Sequence, residues 1–243
     1  MAEYVYGIVD GTADPPARGG IAGAPLRVIG GDGAGALVSD VSGEELRFGR
    51  EEMLTHSRVL EAAIAHGTVL PMRFGVVMEP DEVRERLLAH HAEELAVQLR
   101  ELAGKVELNV RVLYEEEPLM RELVAGDPEI AALRERVRGR SADAAYYERI
   151  RLGELIAHAL ERKREADAAV LLEELGQVSL GVAVAAASHE RMVVNASFLV
   201  DRERVAEFDE TLERQAKERA SRMRFKCVGP LPPHSFVDLT QAV

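Results

Sequence analysis

Residues 105–114, Lys105-Val106-Glu107-Leu108-Asn109-Val110-Arg111-Val112-Leu113-Tyr114, decide how the second half of the chain folds. Val106, Leu108, Val110, Val112 and Tyr114 alternate with Glu107, Asn109, Arg111 and Leu113, the period of two that marks a strand with one buried face. Helical patterning follows from Pro118 to about Leu175, broken near Gly126-Asp127-Pro128 and again at Gly139-Arg140-Ser141. Two more alternating runs come next, Val178–Val184 and Met192–Val200. A helix then places Val205, Phe208, Leu212 and Ala216 on its core face. The last run sets Met223, Phe225 and Cys227 inward against Arg224 and Lys226.

That order, β-α-β-β-α-β, is the split βαβ arrangement of a ferredoxin-like domain, with an elongated helical insertion after its first strand. Upstream, Tyr4–Val9 reads as a strand ended by Asp10-Gly11, and Leu26–Ile29 and Ala36–Val41 as two more. From Glu51 a helix carries Met53, Leu60 and Ile64 on one stripe and ends at Gly67. A second opens at Pro80-Asp81-Glu82 and runs to Leu102, with Leu88, His91, Leu95, Leu99 and Leu102 on one face; Ala103-Gly104 closes it. The fold class is therefore α+β in two domains: residues 1–104, and residues 105–243 with a C-terminal tail.

Composition bounds the function. The chain has 243 residues, 47% hydrophobic, enough for two ordinary cores. Forty-two acidic residues against 30 basic ones give a net charge of −12, which argues against nucleic acid or a lipid membrane as partner. Aromatic residues are 5% and tryptophan is absent, so a base-stacking platform is not expected. One cysteine allows no internal disulfide and fits a reducing compartment. No apolar run approaches the length that crosses a bilayer, and Met1–Gly11 has no signal-peptide pattern. The expected location is the cytoplasm.

No enzyme motif emerges, and no cofactor or metal is expected. His90 and Glu94, four apart on a helix, fall on its polar side and read as a solvated pair; His91 reads as a core histidine. Cys227, on the inward face of its strand, reads as an inert buried thiol. The cluster Gly30-Gly31-Asp32-Gly33-Ala34-Gly35 lacks the Gly-Lys-Ser/Thr ending of a phosphate loop and precedes a strand, so a hairpin turn is the better reading. A small-ligand or nucleotide-binding regulator using that loop or an open sheet face is the alternative function. The apolar alternation assigns Leu108, Val110, Val182, Val194 and Phe198 to the covered face of the second sheet. Glu107, Asn109, Arg111, Asn195, Ser197, Arg224 and Lys226 fall on the other face. Such a face is either solvent-exposed or packed on the first domain, or it docks another protein.

Several blocks resemble the gas vesicle protein family GvpF/GvpL. They are Tyr4-Val5-Tyr6-Gly7-Ile8-Val9, Gly20-Ile21-Ala22-Gly23, Val69-Leu70-Pro71-Met72-Arg73-Phe74-Gly75, Gly104-Lys105-Val106-Glu107, and Gly229-Pro230-Leu231-Pro232-Pro233-His234-Ser235-Phe236-Val237. The resemblance implies a non-enzymatic accessory or assembly protein associated with the vesicle. Its implied partners are the small, very hydrophobic shell protein and other gas vesicle accessory proteins. In the signature block, Leu70, Pro71, Phe74 and Gly75 read as structural, and Arg73 as paired with a carboxylate at the domain junction. The prolines Pro230, Pro232 and Pro233 suit an extended tail that packs on the other domain.

Overall fold

β1 (Ala2–Val9) is the axis of the first sheet, and all its residues but Ala2 are buried. The computed structural model describes residues 2–30, 33–42, 49–141 and 143–239. Strands β2 (Leu26–Gly30), β3 (Gly35–Val41) and β4 (Val69–Pro71) pair in the order β2-β3-β1-β4, and β5 (Val77–Met78) also pairs with β1. Every pairing is antiparallel. The β1–β3 register slips between Val5 and Gly7. Such a bulge reverses the alternation of faces, and Val5 and Ile8, three apart, lie in one core cluster with Leu70, Met72, Leu87, Leu95 and Leu99.

α1 (Arg50–His66) buries His56, Val59, Leu60, Ala63 and Ile64. Met53, placed on that stripe by its spacing, is exposed, because the buried stripe starts one turn later, at His56. The long helix expected to Leu102 is not continuous. A one-turn α2 (Pro80–Glu82) leads into a π-helical segment, Val83–Ala89, and after His90 and His91 the chain restarts as α3 (Ala92–Glu101). The wider π turn accommodates an extra residue, and Val83, Leu87, Leu88, His91, Leu95, Leu99 and Leu102 are all buried. Gly104, two residues past the C-cap Leu102, takes a positive φ of +70° that lets the chain turn into the next strand.

The second sheet contains β6 (Lys105–Tyr114), β7 (Gly181–Val184), β8 (Met192–Asp201) and β9 (Met223–Leu231), in the order β7-β8-β6-β9. The first and third strands in sequence are central, as a split βαβ requires, and both sheets of the chain are antiparallel. Between β6 and β7 run α4 (Glu116–Gly126), α5 (Pro128–Val137) and the 31-residue α6 (Tyr146–Gly176). Asp127 caps α5 by accepting from the N–H groups of Glu129 and Ile130, and Pro128 occupies the first turn. α7 (Val205–Arg219) joins β8 to β9.

Three expectations fail along these strands. β7 begins at Gly181 rather than Val178, because residues 177–180 complete the turn after α6. Val182 and Val184 are exposed, while Gly181 and Ala183 are the half-buried residues. β7 lies at a sheet edge, where side-chain alternation does not by itself say which face is covered. Cys227 is exposed, not buried. The surrounding protein and the Asp209 carboxylate nevertheless push its thiol up to about 11, so it stays protonated at neutral pH.

The chain divides into two compact units. One comprises Met1–Leu108, Leu199–Arg202 and Gly229–Val243; the other comprises Asn109–Phe198 and Glu203–Val228. The prolines after Gly229 therefore sit in the same unit as the first sheet, as an extended tail ending in a short 3-10 turn, His234–Phe236.

Candidate functional site

The residues assigned to an open face of the second sheet do not share one environment. Arg111, Arg224 and Lys226 are exposed, and Arg224 pairs with Glu115 at 2.6 Å. Asn109 and Asn195 are half-buried; the Asn109 amide donates to Ser197 Oγ at 3.2 Å, and Asn195 donates to the Ala186 carbonyl at 3.3 Å. Ser197 is buried. So is Glu107, at 4% exposure. The physical reason lies in the tail: the Ser235 N–H donates to Glu107 Oε2 at 2.8 Å and its hydroxyl to Oε1 at 2.9 Å. Strand alternation marks Glu107 as outward-facing but carries no information about a segment 128 residues later that covers it.

The signature segment converges on a buried aromatic cluster instead. Tyr4 and Tyr6 project from β1 with ring centroids 4.8 Å apart, and His56 of α1 lies 5.7 Å from each, stacked on Tyr6 at 24°. Phe74 closes the group edge-on to His56 at 5.7 Å. The Tyr4 hydroxyl accepts from the Gly75 N–H at 3.0 Å and lies 2.9 Å from His56 Nδ1. With Gly75 donating, the Tyr4 proton is free for Nδ1, and this network assigns the ring proton to Nε2. Nε2 is buried without a hydrogen bond of ordinary geometry. The Tyr6 hydroxyl accepts from the Ile21 N–H at 2.7 Å and bonds Ser39 Oγ at 3.0 Å.

Burial lowers the His56 pKa to about 4, and a positive charge there would also face His234; the nearby Met72 carbonyl opposes the shift without cancelling it. Burial likewise raises Tyr4 to about 12 and raises Tyr6. Both tyrosines and the histidine are thus neutral at pH 7. The cluster ties three separate segments together, β1, α1 and the signature block, and has the character of a structural keystone.

Beside it, Pro71, Met72, Arg73, Val76, His234, Val237 and Leu239 line a pocket of about 250 Å³. Arg73 is exposed there, and the carboxylate partner expected for it is not present among the described residues. His90 is exposed, and Glu94 pairs with His91 at 3.1 Å. Among the described residues no three metal-ligating side chains come together, and no helix is long and apolar enough to cross a membrane. Gly30 pairs with Gly35 across the β2–β3 hairpin, while Gly31 and Asp32 lie outside the described residues.

The model of the family described as gas vesicle synthesis protein GvpL/GvpF matches residues 2–238. The chain belongs to the GvpL/GvpF family. Its relatives include gas vesicle protein F of a Streptomyces species, 34% identical over 98% of this chain and 100% of the relative. Gas vesicle protein L1 of Halobacterium salinarum is 33% identical over 55% of this chain and 50% of its own. The fold is that of the crystal structure of GvpF from an Anabaena species, with a TM-score of 0.85, 24% identity and 98% of each chain covered. GvpF from Microcystis aeruginosa aligns with a TM-score of 0.80. An accessory role in gas vesicles follows from the family, as does association with gas vesicle components.

Proposed function

We propose that this chain is a non-enzymatic assembly factor of the cytoplasm that binds the hydrophobic gas vesicle shell protein and limits its aggregation before it enters the vesicle wall. The family match across residues 2–238 carries this reading. A wall that excludes liquid water on one side is built from subunits that expose apolar surface before assembly, and such surface aggregates. A partner of net charge −12 keeps a complex of this kind dispersed. Other accessory proteins of the vesicle are further partners on this reading. The ligand-binding alternative is less favoured, because Gly30 and Gly35 pair with each other across β2 and β3.

Co-expression of the shell protein with and without this chain tests the proposal. The shell protein is expected to move into the soluble fraction and to co-purify with the tagged chain. An unchanged insoluble fraction with no co-purification overturns it.

A further inference from the structure

β7 is one edge of the second sheet, and among the described residues β8 is the one strand it pairs with. Ala185 N–H donates to the Asn195 carbonyl of β8 at 2.8 Å. In an antiparallel pair, alternate residues turn both backbone polar groups to the same neighbour, so Ala183 and Ala185 face β8 and Val182 and Val184 turn their N–H and C=O groups outward. The side chains of Leu180, Val182 and Val184 are 49%, 39% and 64% exposed.

Natural sheets blunt their edges with charges, prolines or brevity. The other edges here follow that rule: β2 carries Arg27, β4 is three residues long and ends on Pro71, and β9 carries Arg224, Lys226 and Pro230. β7 is also short, at four residues, but it carries neither a charge nor a proline. It sits in Gln177–Ser188, twelve consecutive residues without a charge in a chain that is 30% charged.

We infer that β7 docks an extended, uncharged apolar segment of a partner protein by strand addition. Main-chain hydrogen bonds to Val182 and Val184 supply the register, and the exposed valines supply the apolar contact. The absence of charge along Gln177–Ser188 selects an uncharged segment, since a charge buried against Val182 or Val184 would have no counter-ion. Pairing of two copies through β7 is disfavoured because it would bring together two chains of net charge −12. This inference rests on the proposed function and names the surface that performs it.

The probe is the shell protein co-expressed with the tagged full-length chain. Val184→Pro removes an outward N–H without touching the ladder to β8. The Val182→Lys/Val184→Lys double variant keeps the backbone and adds charge. Lys226→Ala, on the opposite edge, is the control. Wild type and the control should recover the shell protein, and the two β7 variants should recover at least tenfold less, with thermal melts matching wild type. The amides of Val182 and Val184 should exchange more slowly in the complex. Recovery by both β7 variants at the wild-type level overturns the docking site and leaves the proposed function standing. No recovery by wild type overturns both. A chain that dimerises alone, and becomes monomeric in both β7 variants, overturns the choice of occupant in favour of a second copy.

Discussion

Arg222 holds Asp167 through both terminal nitrogens of its guanidinium, at 2.7 Å to Oδ2 and 3.1 Å to Oδ1. The Tyr114 hydroxyl donates to the same Oδ2 at 2.5 Å, and Lys163 lies 3.2 Å away. One carboxylate of α6 thereby ties down the end of β6 and the residue preceding β9. Neither partner is fully buried, so removing the carboxylate costs less than breaking an interior pair. Asp167→Ala is expected to lower unfolding free energy by about 2 kcal/mol, read as a lower urea midpoint at unchanged slope.

The same carboxylate gives a pH dependence whose sign is fixed. Burial opposes ionisation of Asp167, but hydrogen bonds from Arg222, Tyr114 and Lys163 outweigh it and hold the carboxyl below its usual range. A group with a depressed folded pKa contributes stability above its unfolded pKa and loses that contribution as pH falls through the folded value. Wild type should therefore lose stability below about pH 4, and Asp167→Asn should lose less over that interval.

His56 acts in a different window. Its pKa falls from 6.5 to about 4 in the folded protein. As pH drops below about 6.5 the unfolded chain takes up a proton that the folded chain refuses, and stability declines until about pH 4. A shift of that size corresponds to roughly 3 kcal/mol. His56→Gln is expected to be less stable than wild type at pH 7.5 and to show a flatter profile between pH 6.5 and 4. A profile as steep as wild type would assign the decline to another group.

Tyr4→Phe leaves the Gly75 N–H and His56 Nδ1 without their partner, and Tyr6→Phe does the same to the Ile21 N–H. Each unpaired buried group costs about 1–3 kcal/mol. Tyr6→Phe should be destabilised within that range, and Tyr4→Phe, which strands two groups, by more. The double variant should depart from the sum of the singles, since the rings touch and share His56. Equilibrium unfolding of the four proteins closes the cycle.

Much of this architecture is legible in the sequence, and the failures share a cause. The alternation of Val106 to Tyr114 and of Met192 to Val200, with helices between, foretells β6, β8 and their central positions. The stripe Leu88, His91, Leu95, Leu99 and Leu102 is buried as its spacing implies, although periodicity does not resolve the π turn at Val83–Ala89. What periodicity cannot report is what lies across from a residue. Glu107, Val182 and Cys227 each sit in a well-patterned strand, and each has its exposure set by the presence or absence of a distant neighbour. The Tyr4–Tyr6–His56–Phe74 cluster has no local signal either, because its members come from three distant segments. The resemblance blocks mark Tyr4, Tyr6 and Phe74 but pass over His56.

Glu107 predicts how the tail is held. Both of its oxygens accept from Ser235, and hydrogen bonds to a charged acceptor contribute about 1.5–3 kcal/mol. Glu107→Ala should release the segment around His234–Phe236, with exchange of the Ser235 amide faster by roughly tenfold or more. Glu107→Gln, which keeps the shape and one acceptor, should fall between. Equal exchange in all three proteins would show that other contacts, such as those of Gln98 with Asp238, hold the tail without Glu107.

Gly20, the first glycine of the second resemblance block, is required for space. Gly20 has φ −81° and ψ −159°, a conformation any residue adopts. A Cβ there would lie 2.5 Å from Tyr6 Oη, which accepts from the Ile21 N–H, and 2.9 Å from Ser39 Oγ, which bonds Tyr6 Oη. Alanine must displace one of these groups, at a cost of about 1–3 kcal/mol. Gly67 offers the matched control: its φ of −179° is extended and nothing lies within 4 Å of an added Cβ. Gly67→Ala should be neutral or stabilising by a few tenths of a kcal/mol, through a less flexible unfolded chain. Gly20→Ala and Tyr6→Phe damage the same pair of bonds, so their combination should cost less than the sum of the two.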